Sequence, residues 1–259
     1  MEENETLSSV ERQNQILELV ERQRRVTVAT ICEQFSVSEA TARRDLDVLA
    51  VQGKVQRFHG GAIHVRQAPP EIPVLQRNIE QAEEKQLIGK EAAQLVKDGE
   101  TIFLGSGTTV LEVARNLKHL TRLTVITNSL LVVNTLVDRP MVTVIALGGL
   151  LRRSEFSFIG HITEQSLSEV RADRVFLGIR ALSLEQGLTN DYLPETMTDR
   201  AILSIGREIV LVADHTKIGR VSTAYVAPLT GIHILVTDSL TSPEFITALT
   251  TQGIRVITC

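Results

Sequence analysis

The sequence has no tryptophan and is only 3% aromatic, so aliphatic side chains must fill its core. It has two cysteines, Cys32 and Cys259, without paired spacing. That argues against a disulfide framework or a thiolate metal site and fits a reducing cytoplasm. The six histidines show no ligand spacing, so neither a metal nor a cofactor is expected. No apolar run approaches the ~18 residues of a membrane helix. The acidic, polar start MEENETLSSV lacks the marks of a signal peptide. These absences predict a cytoplasmic protein with no membrane partner. Excess charge is also small: 27 Lys and Arg against 31 Asp and Glu give a formal net charge of −4. A chain-wide nucleic-acid coat is therefore excluded, and any basic patch must be local.

What is present suits a globular protein: 43% hydrophobic and 22% charged residues. One domain takes ~100–200 residues, so 259 residues predict one large or two unequal domains. The chain reads as a frayed tail (1–7), a helix-rich domain (8–63), a linker (64–80) and a larger domain (81–259). Pro69, Pro70 and Pro73 make the linker extended, because proline lacks a backbone donor and restricts its neighbour.

In the first domain a helix over 9–23 turns Ile16, Leu17 and Val20 inward. A second begins near Val28, with Val28, Ile31, Cys32 and Phe35 at i, i+3, i+4, i+7. Ser36-Val37 makes a tight connection, and the Ser38 hydroxyl is placed to cap a third helix. Glu39 follows in its first turn, where negative charge suits the helix dipole. Ala42, Leu46 and Leu49 form the buried stripe of that helix, and Gly53 ends it. Ser38, Thr41, Arg43 and Arg44 lie opposite, a surface able to reach base edges and phosphates. Residues 54–63 read as a two-stranded wing carrying Lys54, Arg57 and His59. Residues 38–66 hold five basic and three acidic side chains, so element order carries more of the argument than charge.

The larger domain alternates short aliphatic runs with helical segments. The runs are 101–104, 123–127, 142–147, 174–179, 208–213, 232–237 and 255–258. Helices are predicted near 109–118, 129–137, 161–169, 194–206 and 242–251. An amphipathic helix over 82–97 buries Leu87, Ile88, Ala92, Leu95 and Val96. This rhythm predicts an α/β domain, a mostly parallel sheet flanked by helices. Its sharpest feature is Gly105-Ser106-Gly107-Thr108-Thr109, between a strand and a helix. Glycines permit a close turn, and free amides with two hydroxyls can cradle a phosphate. The spacing matches neither the dinucleotide fingerprint nor the nucleotide P-loop. Asn128, Gly148-Gly149, Asp214 and Lys217 follow other strands, where open parallel sheets bind ligands.

Both halves resemble one family. The run S-x-x-T-x-R-R-D-L, a Gly at the helix end and then R-x-x-G-G-A resemble the DeoR-type winged helix-turn-helix. EKQLIGKEAAQLV (84–96), LGSGTT (104–109), TNS (127–129), LGGLLRRSEFSFIG (147–160), GLTN (187–190) and ADHTKIGR (213–220) resemble its effector domain. The resemblance implies an α+β winged helix-turn-helix ahead of a domain like ribose-5-phosphate isomerase that binds phosphorylated sugars. It implies DNA contacts at Ser38, Glu39, Thr41, Arg43 and Arg44, assisted by the basic wing. Asp45 matches the motif too, in the role of holding an arginine. Phosphate is implied at Ser106–Thr109, and effector response at Lys85, Asn128, Gly148, Gly149, Arg152, Asp214 and Lys217. Two positions depart: Gly105 stands where the family often has Asp, and Gly178-Ile179-Arg180 where it often has Asp-Gly. A missing carboxylate and the added Arg180 point toward a more anionic effector.

The expected function is a repressor of a carbohydrate operon, a dimer or tetramer on double-stranded operator DNA, modulated by a phosphorylated sugar. It is expected not to be an enzyme. A sugar-phosphate isomerase with a DNA module is disfavoured, because no second carboxylate is placed near the phosphate loop. A constitutive DNA-binding protein is the other alternative.

Overall fold

The structure is a computed structural model and describes residues 8–23, 25–51, 54–58, 60–64, 66–67, 72–117 and 120–259. The tail, Gly53, His59 and the pair Pro69-Pro70 lie outside the described residues. The chain divides into two compact units between Arg66 and Gln67. Among the described residues no helix is long and apolar enough to cross a membrane.

The first unit has helices Ser9–Gln23, Val28–Phe35 and Glu39–Val51. Thr27 caps the second, its hydroxyl accepting from the Thr30 amide at 3.1 Å. Ser36 is left-handed (φ 53°), which makes the tight connection to the third helix. Ala42, Leu46 and Leu49 are buried as their spacing predicts. In the first helix Leu19, rather than Leu17, joins Ile16 and Val20 in the core, and Leu17 is only half-buried. The wing has one more strand than expected. Gly61–His64 pairs antiparallel with Val55–Phe58 and, on its other side, with Arg25–Thr27. Three residues between two helices were too short a run to signal a strand.

The second unit is built on a seven-stranded sheet in which every neighbouring pair is parallel. Its order is Arg255–Thr258, Ile234–Thr237, Gly206–Val212, Ala172–Leu177, Thr101–Leu104, Leu123–Thr127, Val142–Ala146. All seven aliphatic runs form these strands, with shifts of one or two residues at some ends. The central strands are buried on both faces, Phe103 and Phe176 completely. The chain adds strands outward from 101–104 to 142–146, then crosses back and builds the other way from 172–177. The carboxyl ends of Thr101–Leu104 and Ala172–Leu177 therefore flank the switch in direction, where such sheets open a ligand crevice.

Four features differ from the sequence reading. A hairpin, Leu150–Arg152 with Ser157–Ile159, and a three-stranded antiparallel sheet, Ala181–Ser183, Gly187–Asn190 and Ala224–Ala227, are additional. Most of these strands are too short to show a period. The helix Ala82–Gln94 is phased by Gly89, which lies so close to Glu112 that a Cβ there would fall 2.4 Å from it. That rotation turns Leu87 outward, 49% exposed. The end of the expected linker is folded: Val74–Arg77 is a short helix and Val74 is completely buried.

Candidate functional site

The first unit presents one exposed, polar helix face. The Ser38 hydroxyl accepts from the Thr41 amide at 3.2 Å and contacts the Thr41 hydroxyl at 3.0 Å. Arg43 pairs with Glu39 at 3.0 Å, and both remain exposed. Arg44 and Lys54 are exposed. Arg57 is drawn back into its own unit, donating to Asp47 at 2.9 Å and to the Gly61 carbonyl at 2.7 Å. Asp45 is only 2% exposed and accepts from Arg12, which shows which arginine it holds. The sequence reading missed Arg25, whose guanidinium lies 4.3 Å over the Phe58 ring beside the wing.

The second unit holds a cavity of about 70 Å³. One water needs roughly 10–15 Å³ of that space, so the cavity takes several. It lies at the carboxyl end of the sheet, between Ser106–Thr109 and Gly178–Arg180. Gly107 opens the helix Thr108–Asn116 at φ 104°, a conformation that suits glycine alone. That helix has no side-chain cap, so its first amides keep their donors for another partner. Thr108 and Thr109 are buried beside it.

Five cations line the cavity: Arg77, Lys85, Arg152, Arg180 and Lys217. Three carboxylates face them: Glu155, Glu195 and Asp199. The ion pairs are Arg77–Glu155 and Arg152–Glu195, with Arg180 to Asp191 at 2.7 Å just behind the wall. Burial lowers the pKa of Lys85 and of Lys217, and Asp214 opposes the shift in both. Asp199 is pushed up to about 7, chiefly by burial, against the hydrogen bond from Asn190 and the charge of Arg152. The balance of wall charge is positive in an acidic chain, so the cavity suits an anion with hydroxyls.

The structure gathers Lys85, Ser106, Gly107, Thr108, Thr109, Arg152, Arg180 and Lys217 around one cavity. It leaves Gly105, Asn128, Gly148, Gly149 and Asp214 outside its lining. The Gly105 amide donates to the Phe176 carbonyl at 3.0 Å, and a Cβ there would meet Leu177 at 3.1 Å. Asn128 donates to the Phe158 carbonyl at 2.9 Å and so anchors the hairpin. Gly148 accepts from the Thr163 hydroxyl at 2.8 Å, and Gly149 has no room for a Cβ against that same hydroxyl. Asp214 is fully buried and accepts from the Thr216 amide at 3.0 Å, acting on the two lysines by charge.

Sequence reasoning missed Arg77, Glu155, Asn190, Glu195 and Asp199. Glu155 and Asn190 stand inside the motifs 147–160 and 187–190, which were a usable signal. Arg77 was hidden in the expected linker, and Glu195 and Asp199 in an unremarkable helical run. The expectation of no second carboxylate near the loop is thus corrected: three line the cavity.

Two family models match the chain: the DeoR-like helix-turn-helix domain over residues 12–68 and the DeoR C-terminal sensor domain over residues 80–239. The chain is 34% identical to the glycerol-3-phosphate regulon repressor of Escherichia coli over 253 residues, 98% of this chain and 100% of that protein. It is 34% identical to the HTH-type transcriptional regulator GolR of Listeria innocua over 229 residues, 88% of this chain and 90% of that one. Among solved structures, ribose 5-phosphate isomerase A from Methanocaldococcus jannaschii aligns with a TM-score of 0.40 at 21% identity, over 54% of this chain and 55% of its own. That likeness is too weak to carry an argument about function. Matches to both domain models, and to regulators along nearly the whole length, establish the chain as a member of the DeoR family of transcriptional regulators.

Proposed function

We propose that the chain is a repressor of a carbohydrate-utilisation operon whose grip on operator DNA is modulated by a phosphorylated sugar. The observation that carries the sensor half is the uncapped helix start at Ser106–Thr109, which opens onto a cavity walled by five cations. Phosphate sits on those amides and hydroxyls with Lys217 beside it, and the sugar hydroxyls meet Asn190 and Asp199. The names of relatives agree: a glycerol-3-phosphate regulon repressor and the repressor GlcR of Bacillus subtilis are among them.

On the DNA side, the helix Glu39–Val51 enters the major groove. Ser38, Glu39, Thr41, Arg43 and Arg44 face the duplex, and Lys54 approaches its backbone, while Arg57 braces the wing through Asp47 and the Gly61 carbonyl. Paired half-sites call for a dimer or tetramer, acting in the cytoplasm where the operator is. If the effector binds best in the conformation that fits DNA poorly, linkage requires DNA to weaken effector binding equally. Each ~1.4 kcal/mol of coupling changes operator affinity about tenfold.

The test is a thermal-shift panel of phosphorylated sugars and sugar acids, followed by operator gel shifts with the hit. Thr108→Asp and Lys217→Ala are expected to lose the response and keep DNA binding. A panel without a hit removes the sensor and leaves constitutive DNA binding. Arg180 favours a more anionic effector, and Arg180→Ala should reorder the panel; an unchanged order rejects that role. The carboxylates in the cavity give an isomerase reading one observation in its favour. Glu155 and Glu195 are each committed to an arginine, which leaves Asp199, hydrogen-bonded by Asn190, as the one carboxylate of the three for a general base, without a second to share the proton transfers. Turnover of ribose 5-phosphate is the discriminating assay, and none is expected.

A further inference from the structure

The chain enters the sensor unit through residues 72–85, and two cavity cations belong to that stretch. Val74, completely buried, donates its amide to the Ser154 carbonyl at 2.8 Å. Arg77, one turn on, pairs with Glu155. The chain then turns through Gln81, a left-handed non-glycine residue (φ 45°), into the helix Ala82–Gln94. From that helix Lys85, 5% exposed, reaches back to the carbonyls of Arg77, at 2.8 Å, and Glu80. One side of the entry segment is thus bolted to the hairpin loop at 154–155 and the other to the first long helix.

Each bolt retains a donor. Arg77 uses its terminal nitrogen on Glu155, and its buried Nε has no hydrogen-bond partner among the described residues. An ammonium has three donors, and Lys85 spends two on carbonyls. Both side chains line the cavity beside Ser106–Thr109. An anion there can take these donors without breaking the bonds that fix the segment.

We propose that Arg77 and Lys85 form a latch that an anion in the cavity tightens, so that residues 72–81, the path from the DNA-binding unit, are held closed more firmly on ligand binding. This rests on the reading of the cavity as an anion site. The latch works through the spare donors: the ligand bridges the loop at Ser106–Thr109 to Arg77 and Lys85, and the entry segment is pressed against the cavity wall. Opening of the segment then requires loss of ligand contacts, so the ligand stabilises the closed state by mass action. Occupancy is thereby felt at the point where the chain leaves for the DNA-binding unit.

Hydrogen exchange on the full chain tests this, with inorganic phosphate as the probe against chloride at equal ionic strength. At phosphate about ten times its dissociation constant, the amides of Val74, Gln76 and Glu80 should exchange about tenfold more slowly, together with those of Thr108 and Thr109. Protection at Thr108 and Thr109 without protection at Val74–Glu80 overturns the latch and leaves the anion site standing. No protection at either place overturns both. In Arg77→Gln, with folding checked by circular dichroism and phosphate reset to about ten times the variant's own dissociation constant, Thr108 and Thr109 should still be protected while the gain at Val74–Glu80 shrinks. An unchanged gain in that variant rejects the latch.

Discussion

The Arg12 guanidinium donates from Nε to Oδ2 of Asp45 at 2.6 Å and ties the first helix of the DNA-binding unit to the third. Gln13 donates to the other oxygen at 2.9 Å. The hydrogen bond to Asp45 raises the pKa of Arg12 further, so this arginine is charged at any physiological pH. Asp45→Ala strands both donors in a small domain of limited core. A loss of about 3 kcal/mol is expected in urea unfolding of the DNA-binding unit. A loss below about 1 kcal/mol would show that the pair does not hold the helices together.

Arg44 projects, exposed, from the polar face of the third helix, with no hydrogen bond or ion pair among the described residues. Arg44→Ala should weaken operator binding and lower the slope of log affinity against log salt by about 1, if the side chain meets a phosphate. Thermal unfolding should stay within about 0.5 kcal/mol of the parent. Identical salt slopes in the two proteins would remove Arg44 from the interface.

Asp199 gives the sensor unit a pH dependence of unusual sign. Burial raises its carboxyl pKa from 3.8 to about 7. Between those values the folded protein keeps a proton that the unfolded chain has released. Its contribution to stability therefore falls as pH rises through that window and levels off above about 7. Asp199→Asn cannot titrate, so its melting temperature should rise relative to the parent between about pH 5 and about pH 8. A constant difference across that range contradicts the raised pKa.

Gly149 separates support from contact. Its φ is 150°, and an added Cβ would lie 2.1 Å from the Thr163 hydroxyl and 2.9 Å from the Ile159 carbonyl. Gly149→Ala should destabilise the sensor unit by about 1–3 kcal/mol. The folded fraction should retain its affinity for the sugar phosphate, measured by calorimetry. Normal stability with lost affinity would instead place Gly149 at the ligand.

Where a feature depends on neighbours along the chain, the sequence alone determined it. The stripe Ala42, Leu46, Leu49 marks a helix because its period matches 3.6 residues, and all three are buried. The aliphatic runs mark strands because a parallel sheet covered on both faces needs continuous apolar residues. The glycine-threonine turn at 105–109 announces a strand-to-helix corner, because few other residues allow so close a turn. Tertiary structure alone decided which side chains share the cavity. Arg77 and Glu155 are 78 positions apart and meet only once the hairpin folds over the entry segment. Asn128 and Gly149 also follow strands, yet the Asn128 amide nitrogen serves the hairpin and Gly149 packs against the helix His161–Ser168. The physical reason is that local periodicity encodes which face of an element is buried, while the membership of a site depends on strand order and on where the direction of the sheet reverses.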